Sequence, residues 1–157
     1  MEWCIKHNVN ISCRDGSEYQ RDTFPRRKKC KEGNLSFFYD RYGFKKYNFV
    51  SQLDADHVPT ETYLLEMMRP FADPEVGYVA APSICDANKQ ESWVVRARLY
   101  AEASMHGALQ AGYSYDWAPM PIGSHYAVRT RALKSLVHRR DGKIVAVGTL
   151  GPELAED

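Results

Sequence analysis

Two aspartates separated by a single residue, Asp54 and Asp56, with His57 directly after them, are the side chains whose types and spacing point most directly to chemistry. Side chains at i and i+2 of an extended backbone project to the same side, so the two carboxylates can approach one cation together. Hard cations such as Mg²⁺ take oxygen ligands and often share one or two carboxylates with a substrate phosphate. His57 can add a nitrogen ligand or simply hydrogen-bond the loop. An Asp pair here equally suits a turn or a helix cap, and both readings stay open on spacing alone.

Positioning such a pair requires a strand before it and a helix after it. Tyr47 to Leu53 is a strand-forming run, and Val58-Pro59-Thr60 is a helix-start signal. The spacing predicts a helix from about Thr60 to Phe71, with Leu64, Met67, Met68 and Phe71 on its apolar face, Thr60 as cap and Ala72-Asp73-Pro74 as stop. Val76 to Pro82 reads as a second buried strand. A long helix is expected from Ser92 to Leu109, with Trp93, Ala97, Tyr100, Ala101, Ser104 and Ala108 sharing a face. Gly112 to Pro121 reads as an aromatic-rich loop, 122–128 as a strand, 129–137 as a helix, and Asp141-Gly142 as a turn into a strand at 144–147. Upstream, residues 14–34 read as a charged loop and 34–42 as a short helix. Alternating strands and helices indicate a mostly parallel sheet flanked by helices. No repeat, low-complexity tract or Gly/Ser linker divides the chain, so one compact unit is expected.

With 157 residues, 44% of them apolar and 26% charged, the chain has the make-up of a soluble globular domain. Its 21 basic and 20 acidic residues leave a formal charge of +1, so overall charge gives no reason to expect nucleic acid or an anionic membrane as partner. Cys4, Cys13, Cys30 and Cys85 show no paired C-x-x-C spacing, which argues against structural zinc or a redox pair and for a reducing compartment. The apolar runs are far shorter than the roughly 20 residues of a membrane helix. The first residues lack the pattern of a signal peptide.

Taken together, the motifs resemble the GT-A catalytic core of family 2 glycosyltransferases, especially the bacterial cellulose-synthase-like branch. The resemblance rests on Lys31-Glu32-Gly33-Asn34-Leu35, the run from Phe49 through Asp54-Ala55-Asp56-His57 to Pro59, the run from Phe71 to Val79, Gly123 to Arg129, and the terminal Gly151 to Asp157, in that order. It implies an α/β fold, a GT-A Rossmann-like mixed sheet flanked by helices. It also implies transfer of a sugar from a UDP-sugar to a saccharide hydroxyl with inversion, in polysaccharide synthesis. Asp54 and Asp56 match the D-x-D that binds the donor diphosphate and its Mg²⁺ or Mn²⁺. A cation there stabilises the charge growing on the leaving diphosphate.

Asp157 matches the family's general base, which takes the proton of the attacking hydroxyl, and Glu156 would sit beside it. Lys31 matches a lysine at the donor nucleotide, where a cation can face phosphate. Gly123, Ser124 and His125 match a stretch near donor and acceptor; glycine suits a close backbone approach, and His125 could donate a hydrogen bond to sugar or phosphate. Tyr115 and Trp117, with Tyr113, could stack against the apolar face of an acceptor sugar.

Relative to the family, the chain lacks an initial nucleotide-binding strand and the later acceptor-side and membrane segments. It therefore reads as a partial catalytic domain, residues 1–157, incomplete at both ends. Such a fragment would belong to an enzyme at the cytoplasmic face of the inner membrane, be soluble by itself and have weak activity alone. Other readings are a non-catalytic saccharide or nucleotide-sugar module, and a phosphatase with an Asp-x-Asp pair.

Overall fold

The computed structural model describes residues 2–17, 22, 31–84, 86–116, 119, 125–140 and 143–147. The chain forms two compact units, one from Met1–Asn48 and Leu133–Asp157, the other from Phe49–Ala132. No linker composition marks either junction, because one falls just before a strand and the other inside a helix.

The first unit opens with helix α1 (Glu2–Lys6), which the sequence patterns do not single out. Helix α2 (Lys31–Phe38) runs through a π-helical turn at Tyr39–Gly43 into α3 (Phe44–Lys46). Helical structure thus begins at Lys31, earlier than the charged-loop reading allows. Ser36, Phe37 and Tyr39 are buried on its inner side, with Tyr39 fully enclosed. Burial pushes the Tyr39 phenol well above its usual range. Gly43 is where the helix makes room for that ring: a Cβ there would lie 2.6 Å from Tyr39 Cδ1. Gly43→Ala is therefore expected to destabilise the chain by about 1–3 kcal/mol through overpacking. Urea denaturation measures it, and an unchanged midpoint would show that the ring can swing aside.

In the second unit, strand β1 (Phe49–Gln52) leads to α4 (Tyr63–Met68), a 3₁₀ turn (Arg69–Ala72) and strand β2 (Tyr78–Ala80). Helix α5 (Trp93–Ala103) continues through a π turn (Ser104–Leu109) into α6 (Gln110–Asp116). Ser92 caps it, its hydroxyl accepting a hydrogen bond from the Val95 amide. Strand β3 (Tyr126–Arg129) follows, then α7 (Thr130–Ser135), which crosses back into the first unit. There β4 (Val137–Arg140) and β5 (Lys143–Val147) pair antiparallel, and α2 lies against β5.

Several expectations change. The sheet order is β1-β3-β2 and both ladders are antiparallel, Ser51 opposite Ala127 and Val79 opposite Ala127. The mostly parallel sheet is thus corrected: β1 and β2 do run the same way, as a strand-helix-strand crossover requires. The later strand β3 inserts between them in the opposite sense, and no local pattern announces that. Thr62, not Thr60, occupies the N-cap of α4 and makes no side-chain cap bond. On α4 and its 3₁₀ extension, Met67 and Phe71 are buried as expected, but Leu64 is exposed. The expected apolar face of the long helix is exposed, with Trp93 and Tyr100 both largely open. The Gly112 to Pro121 loop is helical through Asp116.

The unit's core is Met67, Phe71 and Ala127, with Phe49, Tyr63, Met68, Val76, Val79 and Ala81 packed around it. Arg129 closes one end. Its Nε donates to the Val76 carbonyl at 3.0 Å, its Nη2 to the carbonyls of Phe71 and Asp73 at 2.9 and 3.0 Å. Its guanidinium lies 4.9 Å from the Phe49 ring centre and 5.4 Å from that of Phe71.

Candidate active site

At the other end of the sheet, β1 stops at Gln52 and the chain turns. The His57 amide donates to the Asp54 carbonyl at 3.2 Å, closing a four-residue turn over Asp54-Ala55-Asp56-His57. That turn, rather than the pleat of a strand, brings the carboxylates together, and it adds the imidazole. Asp54, Asp56 and His57 each offer a ligand atom, all within 4.8 Å of one another. His57 Nε2 is 3.9 Å from Asp56 Oδ1. That is long for a hydrogen bond, but two donors each about 2.1 Å from one ion sit roughly 3 to 4 Å apart. The donor set of two carboxylates and one imidazole is compatible in its chemistry with a divalent cation. Asp54 and His57 are half-buried and Asp56 is exposed, so a cation held there remains open to an incoming ligand. The cap reading loses ground, since the N-cap of α4 is Thr62.

His125 stands beside this turn. Its amide donates to the Gln52 carbonyl at 3.0 Å and its carbonyl accepts from the Ala81 amide at 2.7 Å, so its backbone links the ends of β1 and β2. It is 9% exposed and holds φ at 65°, a left-handed conformation that side chains with a Cβ rarely adopt. Such a backbone costs of order 1–3 kcal/mol and persists where surrounding bonds enforce it, often at functional sites. The His125 ring centre lies 4.0 Å from that of His57, at 60°, and 6.4 Å from that of His106 in the π turn. Burial first, then the neighbouring His57 and His106, hold the His125 imidazole below its usual range, against an opposing pull from Asp54. Next to it, Tyr126 donates its hydroxyl to the Gln52 carboxamide oxygen.

A cleft of about 470 Å³ opens against the turn, lined by Asp56, His57, Tyr63, Pro82, Ile84 and His125 among others. Its lining mixes Asp56, Asp86 and the two imidazoles with apolar side chains such as Val58 and Ile84.

Of the residues singled out from sequence, Asp54, Asp56, His57 and His125 are thus brought together within the second unit. Lys31 begins α2 in the first unit and is exposed. Tyr115 is 90% exposed on α6, and Tyr113 is 44% exposed two residues before it. Residues two apart on a helix do not face the same way, so these two rings do not form one wall. Trp117, Gly123, Ser124, Glu156 and Asp157 lie outside the described residues. Sequence reading missed His106, whose helical position carries no local signal of an imidazole partner 19 residues further on, and the bracing role of Arg129. No helix among the described residues is long and apolar enough to cross a membrane.

An α/β chain thus carries a carboxylate–imidazole group in the turn after a strand, with a cleft beside it. Residues 49–150 match glycosyl transferase family group 2, and the chain belongs to that family. Neither a curated relative nor a solved structure matches it.

Proposed function

We propose that the chain carries the donor-binding part of a metal-dependent, inverting glycosyltransferase. It moves a sugar from a UDP-sugar to a saccharide hydroxyl in polysaccharide assembly, on a GT-A scaffold of the cellulose-synthase-like branch. The observation that carries this reading is the Asp54, Asp56 and His57 group beside the cleft, in a chain of this family. Asp56, exposed at the rim, is the first choice for direct contact with Mg²⁺ or Mn²⁺, with Asp54 beside it. When bound, the cation offsets the charge that develops on the departing diphosphate.

The cleft next to the turn takes the donor sugar, its polar lining residues offering hydrogen bonds to the sugar hydroxyls. By resemblance, Lys31 is the lysine of the donor nucleotide, and Gly123, Ser124 and His125 are the stretch near donor and acceptor. Tyr115, exposed, offers a stacking face to the acceptor together with Trp117. By resemblance, Asp157 accepts the proton of the acceptor hydroxyl as it attacks, with Glu156 orienting it. As part of a longer membrane-anchored enzyme, residues 1–157 would act at the cytoplasmic face of the membrane.

Calorimetric titration with a UDP-sugar tests the donor half. Binding is expected with Mn²⁺ and lost on adding a chelator; equal binding in both conditions would remove the metal from the reading. For the acceptor half, Asp157→Asn in the full-length enzyme is expected to abolish transfer, measured as UDP release with a saccharide acceptor, while donor affinity stays unchanged. Undiminished transfer would take Asp157 out of the mechanism.

A further inference from the structure

We propose that His125 is a positioning residue, its ring holding the His57 imidazole so that Nε2 faces the carboxylates and His57 acts with Asp54 and Asp56 on a divalent cation. The inference rests on the metal reading above and extends it to a residue outside the ligand group.

A metal-binding imidazole is ordinarily oriented by its second nitrogen, which donates to a carboxylate, a carbonyl or water. In His57 that nitrogen, Nδ1, is buried and has no hydrogen-bond partner among the described residues, while Nε2 lies 3.9 Å from Asp56 Oδ1. Contact with a neighbouring side chain also sets the plane of such a ring. The His125 ring does so by contact, 4.0 Å away between centres and inclined by 60°. A positioning group must itself be fixed, and His125 is: it is almost fully buried, and bonds to Gln52 and Ala81 clamp its backbone on both sides. His106 stands on its far side at 6.4 Å.

At φ 65° glycine is relaxed, and asparagine and histidine are among the side chains most often found there.

The same property makes the test clean. His125→Gly and His125→Asn both suit the left-handed backbone, so both are expected to fold, with a cooperative melting transition. The 157-residue chain is titrated with Mn²⁺ alone, followed by the free-ion electron paramagnetic resonance signal, with pulsed spectra recording ¹⁴N coupling from a bound imidazole. Both variants are expected to bind Mn²⁺ about tenfold to a hundredfold more weakly, with ¹⁴N coupling reduced or lost. His57→Ala should reproduce the loss, and adding His125→Gly to it should cost nothing more, because the two act as a unit.

Native affinity and native ¹⁴N coupling in the folded His125 variants would overturn the proposal, as would a further loss in the double variant. Binding of Mn²⁺ by the parent chain without ¹⁴N coupling would also overturn it while leaving the two aspartates as ligands. No Mn²⁺ binding by the parent chain would sink both this inference and the metal reading beneath it.

Discussion

Asp54→Asn and Asp56→Asn are each expected to lower Mn²⁺ affinity at least about a hundredfold and to remove the metal-dependent part of UDP-sugar binding. An amide keeps the size and one carbonyl oxygen of the carboxylate but not its charge, and the attraction between carboxylate and dication provides most of the hold on a hard metal. The effect should be greater than that of any change at His125, because a ligand is lost outright rather than allowed to tilt. It should be greater at Asp56 if that side chain, the more exposed of the two, is the direct ligand. Titration with Mn²⁺ and with the UDP-sugar reads both. Glu66→Gln serves as a control, since Glu66 is exposed on α4 and pairs only with Arg69 one turn away among the described contacts. Binding in the two aspartate variants as tight as in that control would exclude the Asp54–Asp56 turn as a cation site.

The second large effect concerns stability. Arg129→Met is expected to destabilise the chain by about 2–4 kcal/mol, because a side chain of similar length leaves the carbonyls of Phe71, Asp73 and Val76 without their shared donor. Hydrogen bonds from a charged donor contribute roughly 1.5–3 kcal/mol each, and part of this is recovered where the freed carbonyls reach water. Arg129→Lys should recover little. An ammonium cannot reproduce the planar fork that reaches three acceptors, nor the flat contact with Phe49 and Phe71. Urea denaturation followed by circular dichroism measures the loss. Arg96→Lys, at an exposed position of α5, should stay within about 0.5 kcal/mol of the parent. Equal midpoints for the Arg129 and Arg96 variants would show that the bracing role is wrong.

Both expectations concern the same sheet from opposite ends. Arg129 sits where β3 finishes and holds the loop that returns from the 3₁₀ turn to β2. His125 sits where β3 begins and joins β1 to β2 beside the carboxylate turn. The register of β3 thus sets where His125 lies. Shifting β3 by one residue would reverse every side chain along it and carry the imidazole away from His57.

What the amino-acid order determined by itself is the local part. The aspartate pair behind a strand, the apolar periodicity that buries Met67 and Phe71, and the helix that begins at Ser92 all arise from residues a few positions apart, where propensity and spacing act directly. The family was also legible, because its motifs are short and fall in a fixed order. The tertiary structure alone decided the rest. It placed β3 between β1 and β2, set Tyr126 against Gln52 across 74 residues, and brought the His125 ring against that of His57. It also turned the tyrosines of the expected loop onto a helix. The reason is physical: a strand's pattern records that it will be half-buried, but pairing partners depend on the path of the intervening chain. The carboxylates of the site are therefore readable in one stretch of sequence, whereas the imidazole that steadies their neighbour comes from the residue just before a strand that pairs only once the chain has folded.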